Sequence, residues 1–355
     1  MMNLKTLSIA LLALGATCLA SCDDWTDTES IQVNAPNDEG YETPEYLEAL
    51  RAYKKTLHPL MIGWFDNSLK DYASMGEHIA QVPDKLDILS LMVPDDLDET
   101  ELKEMNRLQT DKGTRVLYTI DCQAFQDKIT AMNNDLETEN EELINEGKEP
   151  LPLIVLTDTL AQFMDMRLAL LDKYPYDGMT VLYNGKATGM IPADEIAEMD
   201  AVQKIIFEKT AAAIDSHPGK TYMYEGLPQF LRVDKTVLMK FDYLVIHTYT
   251  STSAIDITRE VIAAVQEQGV PTDRVIVSAA PRFSQSGTTY GNMVDLAGLP
   301  STAIKSVAEW VKTDDTQAFT KAGMGVWKIN KDYYIPSNSY AAVKEAINIM
   351  NPSPN

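Results

Sequence analysis

The side chains best suited to chemistry in this sequence stand at or directly after short apolar runs. Aromatic rings can stack on the flat C–H faces of a sugar, and amides and carboxylates can pair with its hydroxyl groups. A cleft of this composition would suit an oligosaccharide. The alternative is that about half of the aromatic rings only fill a hydrophobic core. The residues in question are Trp64, Asp66, Asn67, Tyr183, Asn184, Tyr224, Glu225, His247, Tyr249, Arg282 and Trp327.

Eight apolar runs, separated by stretches of helical spacing, would position these residues. Strands that alternate with helices predict a parallel sheet, and eight of them predict a single (β/α)8 TIM barrel. A doubly wound open sheet is the alternative, but no glycine-rich turn after the first run supports a dinucleotide-binding fold. Barrel active sites lie at the carboxyl ends of the strands, so these residues would meet there. The predicted strands are 59–65, 86–92, 115–120, 178–183, 220–224, 243–249, 274–279 and 323–328.

The charge balance argues against one class of partner. The 355 residues include 30 Lys and Arg against 53 Asp and Glu, which gives a net charge of −23. A surface this acidic repels phosphate backbones, so non-specific nucleic-acid binding is not expected. The four histidines lack metal-ligand spacing, and the chain has no phosphate loop. The sequence therefore predicts neither a metal nor a cofactor.

The N-terminus has the pattern of an export segment. A short basic start precedes an apolar run at 7–19, which is too short to anchor a chain across a bilayer. The run ends in Leu-Ala-Ser-Cys at 19–22. This resembles the bacterial lipobox, in which the peptide is cut before the cysteine and the thiol is lipidated. An ordinary signal peptide cleaved nearby is the alternative.

Acidic residues directly after Cys22 resemble the surface-export signal of Bacteroidetes lipoproteins. We therefore expect a lipoprotein signal peptide at 1–21, an acidic tether at 22–42 and the barrel at 43–355. The lipid at Cys22 would hold the protein in the outer membrane, exposed at the cell surface. Cys122 would remain as a lone thiol, so no intrachain disulfide is expected.

Several segments match one enzyme family in the order of its strands. The segment at 176–184 reads Y-D-G-M-T-V-L-Y-N, and the segment at 241–249 reads F-D-Y-L-V-I-H-T-Y. They resemble the fourth strand (D-G-x-D-x-D-x-E) and sixth strand (D-Y-x-x-x-Q-x-Y) of glycoside hydrolase family 18. That family includes chitinases and endo-β-N-acetylglucosaminidases. Residues 82–91 and 323–327 resemble its second and eighth strands, with Trp327 at the position of the barrel-floor tryptophan.

The fourth strand departs from the family signature where the chemistry occurs. Its two later aspartates and its glutamate are replaced by Thr180, Leu182 and Asn184. In the family the glutamate protonates the leaving oxygen, and the last aspartate orients the 2-acetamido group that attacks C1. Neither Leu182 nor Asn184 can do this. Loss of positioned acid catalysis alone removes about 10²–10⁴-fold in rate.

The resemblance therefore implies a barrel that holds a sugar without cutting it. Tyr249 stands at the position of the family's tyrosine near the N-acetyl group, so a glycan containing N-acetylglucosamine, such as an N-glycan, is the expected ligand. Neighbouring outer-membrane glycan-uptake proteins are the expected partners. Two alternatives stay open. One is an active endo-β-N-acetylglucosaminidase or chitinase-like enzyme with a relocated acid, for which Glu225 is the best remaining carboxylate; the other is a structural or protein-binding barrel.

Overall fold

The strands of the protein form a closed barrel and two small hairpins. A computed structural model describes residues 42–313, 319–334 and 338–352. The strands in this part of the chain are β1 (Leu60–Phe65), β2 (Ile88–Leu91), β3 (Arg115–Asp121), β4 (Gly178–Tyr183), β5 (Thr221–Gly226), β6 (Tyr243–Ile246), β7 (Val275–Ala279), β8 (Phe283–Gln285), β9 (Thr288–Tyr290), β10 (Asn292–Val294), β11 (Pro300–Thr302) and β12 (Lys321–Val326). Eight of them are parallel and close into a barrel in the order β1-β12-β7-β6-β5-β4-β3-β2.

Helices connect most of the barrel strands and form an outer layer. The α-helices of the described residues are α1 (Pro44–Tyr53), α2 (Glu99–Arg107), α3 (Cys122–Asn145), α4 (Leu156–Leu168), α5 (Leu170–Lys173), α6 (Ala193–Ser216), α7 (Ala254–Val265), α8 (Ala303–Lys312) and α9 (Ala341–Met350). Shorter 3₁₀ helices lie at Met75–Glu77, Ile79–Gln81, Pro228–Phe230, Lys235–Lys240 and Ile329–Tyr334, and a π-helix lies at Leu108–Lys112. The connections after β1 and β5 contain 3₁₀ helices instead of an α-helix.

Side-chain alternation along the strands divides the core into two layers. On β1, Leu60, Ile62 and Trp64 belong to an apolar cluster that fills the inside of the barrel. Met61 and Phe65 belong to the second cluster, which packs the outside of the barrel against the helices. Because successive side chains of a strand point to opposite faces, one run supplies both layers. This explains why the strands are apolar almost throughout.

Aspartates at the amino ends of three strands tie each strand to a preceding one. The carboxylates of Asp87, Asp177 and Asp242 accept backbone N–H groups of β1, β3 and β5 at 2.9, 2.8 and 2.8 Å. Gly178 follows the second of these aspartates, and a Cβ there would lie 1.7 Å from the Thr221 carbonyl oxygen. Both residues that match the start of the fourth-strand signature therefore have a structural reason to be present.

The predicted (β/α)8 barrel is confirmed, and every predicted strand corresponds to an observed one. The two hairpins, β8–β9 and β10–β11, were not predicted. Residues 156–173 form two helices, α4 and α5, that divide at Ala169. The predicted signal peptide and nearly all of the tether lie outside the described residues. From Leu47 onward the chain belongs to one compact unit. No described helix is long and apolar enough to cross a membrane.

Candidate functional site

Aromatic rings gather where β6 and β12 end. The ring of Tyr249, just beyond β6, stacks on Trp327 with centroids 4.3 Å apart and an interplanar angle of 17°. The centroid of the His247 ring lies 4.5 Å from that of Tyr249. All three rings are partly exposed. The carboxyl end of the barrel therefore presents a broad aromatic surface that a flat apolar ligand face can cover.

The β8–β9 hairpin adds two rings to this surface. Phe283 and Tyr290 stack across the hairpin at 5.0 Å, and Tyr290 lies 5.3 Å from Trp327. Tyr290 was not among the residues predicted for the site. A signal was present, because Ser286 and Gly287 form a two-residue turn with φ of 50° and 78°. A Ser-Gly pair between short polar and aromatic runs is a hairpin pattern. We call Tyr249, Trp327, Phe283, Tyr290 and His247 the aromatic cluster.

Carboxyl groups lie on both strands that flank Leu182. The residues paired with Leu182 are Asp121 on β3 and Glu225 on β5. Each is an even number of residues from an inner-cluster residue of its own strand, Leu117 on β3 and Met223 on β5, so both side chains point inward at the carboxyl end. The Asp121 carboxylate also caps α3 by accepting the Ala124 N–H at 2.8 Å. Position 182 has no carboxyl group, but the residues paired with it on both neighbouring strands do.

Burial sets the protonation of the central pair. Glu225 is 1% exposed, and burial, together with the charge of Asp121, raises its pKa from 4.5 to about 8. Burial lowers the pKa of His247 to about 4. His247 Nδ1 lies 3.9 Å from Glu225 Oε1. That distance would permit an ion pair, but it is too long for a hydrogen bond, and burial of each group outweighs the attraction. Both groups are thus neutral near pH 7.

Two buried side-chain oxygens at the mouth lack a hydrogen-bond partner within the described structure. They are Oε2 of Glu225 and Oδ1 of Asn184. Nδ1 of His247 is also without one. Most buried polar groups in proteins are hydrogen-bonded, and those that are not call for an explanation. A ligand hydroxyl or amide, or a water molecule, would supply the missing hydrogen bonds here.

The substituted signature positions offer no carboxyl group of their own. Thr180 is fully buried inside the barrel, where its hydroxyl lies 3.3 Å from that of Ser90. Leu182 is half-buried and apolar. Asn184 is half-buried and can accept or donate hydrogen bonds, but it holds no labile carboxyl proton. The β4 strand therefore provides packing and one amide to the mouth.

A charged pair stands beside the aromatic cluster. Lys328 Nζ lies 3.1 Å from Asp66 Oδ2 and 5.1 Å from the centroid of the Trp327 ring. Burial alone would raise the pKa of Asp66, but hydrogen bonds from Ser68 and Lys328 outweigh it and lower the pKa. Asp66 is thus held as an anion next to the aromatic surface, where it can accept sugar hydroxyls.

The structure places four of the predicted site residues away from the mouth surface. Trp64 is 1% exposed inside the barrel, where its ring covers Gly325. Tyr183 and Tyr224 point outward into the barrel–helix core; the Tyr224 hydroxyl donates to the Tyr183 carbonyl at 2.8 Å. Asn67 is buried and bonded to the Val93 backbone and Glu101. These side chains are occupied by structural contacts, so we do not include them in the candidate site.

The other predicted residues divide into a mouth group and one outlier. The structure brings Asn184, Glu225, His247, Tyr249, Trp327 and Asp66 to the carboxyl end of the barrel. Arg282 is exposed at the start of the β8–β9 hairpin, and it borders a cavity of about 320 Å³ with Asp332 and Glu345. Among the described residues, no group of three or more His, Cys, Asp or Glu could hold a metal ion.

Comparison with known proteins adds the family. The model of the family described as "Glycoside hydrolase family 18, BT1044-like" matches residues 26–349. The chain belongs to this family. A search of curated proteins gives no match.

Solved structures of the family share the barrel at low sequence identity. An apo endo-β-N-acetylglucosaminidase from Cordyceps militaris is 17% identical, with a TM-score of 0.56 over 89% of this chain and 99% of that one. A structure of BT1044 is also 17% identical, with a TM-score of 0.57 over 87% and 93% of the two chains. A Group IV chitinase from Ostrinia furnacalis is 11% identical, with a TM-score of 0.50 over 82% and 99%. At these identities the likeness supports the fold alone.

Proposed function

We propose that this glycoside hydrolase family 18 protein binds glycans at the carboxyl end of its barrel without hydrolysing them. The observation that carries the proposal is the stack of Tyr249 on Trp327 at the barrel mouth, partly exposed and widened by Tyr290. Stacked rings offer a sugar a rigid apolar platform. Asn184 and Asp66 beside it offer acceptors for hydroxyl and amide groups.

The lack of hydrolysis follows from the β4 side chains. The family mechanism needs a proton donor at position 184 and a carboxylate at position 182 to orient the acetamido group. Asn184 cannot donate a carboxyl proton, and Leu182 cannot stabilise a cation. A site that keeps its aromatic rings but lacks the catalytic acid can bind a glycan and cannot hydrolyse it by the family mechanism.

N-acetylglucosamine is the sugar for which the proposal has most support. The sixth-strand segment resembles that of the family, and this resemblance puts Tyr249 at the position of the family tyrosine near the N-acetyl group. One structural neighbour, a mutant of the Cordyceps militaris enzyme, is a complex with fucosyl-N-acetylglucosamine-Asn. A glycan of that class, attached to a glycoprotein or free, is the proposed ligand.

A second candidate function rests on Glu225. Its raised pKa leaves it protonated near pH 7, and it stands one strand from the lost aspartate, level with Leu182. Burial keeps such a carboxyl group protonated near neutral pH, and a protonated carboxyl group in a reactive site can act as a general acid. In this alternative, Glu225 protonates the leaving oxygen and Asp121 supplies the negative charge. Glu225 is only 1% exposed, so the mouth would have to open before its carboxyl group could contact a glycosidic oxygen. We therefore rank this function second.

The proposal extends to the location of the protein. We place it as a lipoprotein anchored through Cys22 in the outer membrane and exposed at the cell surface, where it would hand glycans to neighbouring uptake proteins. The support is the lipobox-like run and the acidic residues that follow it. Cys22→Ala should release the protein into the soluble fraction, because a diacylglycerol anchor is lost. An unmodified N-terminus at Cys22 in mass spectrometry of the wild-type protein would contradict this placement.

A glycan array followed by a product assay tests the proposed function. The soluble chain from Thr43 onward should bind glycans that contain N-acetylglucosamine and release no reducing sugar from them. Release at enzyme-like rates that Glu225→Gln abolishes would favour the second candidate. Absence of binding to every glycan would favour a structural or protein-binding barrel.

A further inference from the structure

A second cavity lies at the opposite end of the barrel from the aromatic cluster. It has a volume of about 980 Å³ and is bordered by the first residues of several strands, including Leu60, Arg115, Tyr243 and Lys321. Leu60 belongs to the inner apolar cluster, and Tyr243 packs against it. The cavity therefore opens at the amino-terminal face, with an apolar floor formed by the underside of the barrel core.

The wall of this cavity is rich in cations. Six Lys and Arg side chains border it against two aspartates, in a chain whose net charge is −23. Both aspartates are already engaged. Asp273 pairs with Arg274 at 2.7 Å, and Asp242 accepts the Tyr222 N–H at 2.8 Å. Basic side chains thus outnumber acidic ones along this wall, although the whole protein is acidic.

Two arginines of the wall donate to neutral oxygens. Arg51 donates to the Asp111 carbonyl at 2.6 Å, and Arg115 donates to the Thr221 hydroxyl at 3.1 Å. Lys55 is exposed at the rim, and no described carboxylate pairs with its ammonium group. Elsewhere the buried cation Lys112 contacts Asp84 at 2.6 Å. Arg51, Arg115 and Lys55 thus bring three positive charges to a concave site with no described carboxylate bonded to them, an arrangement that suits an anionic ligand.

We propose that this cavity binds a phosphate group, carried either by a small phosphorylated molecule or by a lipid headgroup. Arginine guanidinium forks and lysine ammonium groups are the usual partners of phosphate oxygens. The cavity is far larger than one phosphate, and its floor is apolar, so the phosphate would carry a further group that rests against Tyr243. The acidic exterior does not prevent this, because charges beyond about 10 Å are screened at physiological salt.

Titration calorimetry with inorganic phosphate, at constant ionic strength and with chloride as the reference anion, tests the proposal. The protein is the full chain carrying Cys22→Ala, so that no lipid of its own interferes. We expect saturable binding that weakens about tenfold or more in Arg115→Gln and in Lys55→Gln, because each loses a charge-assisted contact. Lys55 is exposed, so its variant keeps the fold even if Arg115→Gln does not. Lys128→Gln, an exposed change of equal charge on α3, should bind as the parent does.

Vesicles separate the two sources of the phosphate. Phosphatidylcholine vesicles with and without an equal part of phosphatidylglycerol are sedimented with the same chain. Retention only on the anionic vesicles, lost in Lys55→Gln, assigns the site to a lipid headgroup. Phosphate binding without retention assigns it to a small phosphorylated molecule. Absence of both, or equal losses in Lys55→Gln and Lys128→Gln, would overturn the proposal. Glycan binding at the other end of the barrel is measured separately, so neither result depends on the other.

Discussion

Replacing Glu225 with glutamine should change how the stability of the barrel depends on pH. Burial raises the pKa of Glu225 from 4.5 to about 8 in the folded chain. Below pH 4.5 folded and unfolded chains both carry the proton. Between these two values only the folded chain keeps it, so the free energy of unfolding falls as pH rises. The slope is about 1.4 kcal/mol per pH unit, and the full loss is on the order of 5 kcal/mol at most.

His247 has the opposite effect on the pH dependence of the free energy of unfolding over the lower part of this pH range. Burial lowers its pKa from 6.5 to about 4, so the unfolded chain binds a proton that the folded chain refuses. Its contribution to stability is complete above pH 6.5 and is lost as pH falls towards 4. In the wild-type chain the two slopes therefore nearly cancel from about pH 4.5 to 6.5. Above 6.5 the Glu225 slope alone remains, and stability declines towards pH 8.

Urea unfolding of the wild type and Glu225→Gln between pH 4 and 9 measures the difference. The free energy of unfolding of the variant, relative to that of the wild type, should rise by about 1.4 kcal/mol per pH unit from pH 4.5 to 8. The difference should level off above pH 8. Glu198→Gln, an exposed change on α6, serves as the control and should follow the wild type. Parallel profiles for Glu225→Gln and the wild type would show that Glu225 is ionised in the folded barrel, and the reasoning about a neutral pair would fail.

Three further predictions concern named side chains. Trp64→Ala should destabilise the barrel by about 3–5 kcal/mol in urea unfolding, yet leave the glycan affinity of the folded chain unchanged, because Trp64 fills the interior. Asn67→Ala should cost about 1–3 kcal/mol in the same assay, since Glu101 and the Val93 backbone lose their partner. Tyr249→Ala should weaken glycan binding about 5- to 150-fold by calorimetry, whereas the half-exposed Tyr334→Ala should not.

The sequence predicted the fold well because its signals are local and repeated. Eight apolar runs separated by helical spacing admit few parallel arrangements, and Asp177 with Gly178 marks the junction into β4 through a backbone contact that only glycine tolerates. The family resemblance and the geometry therefore agree on the barrel. The short hairpins after β7 were missed, since three-residue strands give almost no periodicity.

The site was predicted less completely because strand-end residues alternate between two faces. Tyr183 ends β4 and Tyr224 lies just before the end of β5, but the phase of the alternation turns both side chains outward to the helices, unlike Tyr249 just beyond β6. Composition cannot reveal that phase. The protonation of Glu225 was equally hidden, because it depends on full burial and on Asp121 two strands away along the barrel wall.

Native mass spectrometry of the soluble chain mixed with an N-glycopeptide tests whether the protein binds a glycan without cutting it. One spectrum reports both the complex and the mass of the ligand within it. We expect a complex with the intact glycopeptide whose ligand mass stays unchanged during prolonged incubation, and a much weaker complex for Tyr249→Ala. A ligand cut between its two core N-acetylglucosamine residues would contradict this expectation, and so would the absence of any complex.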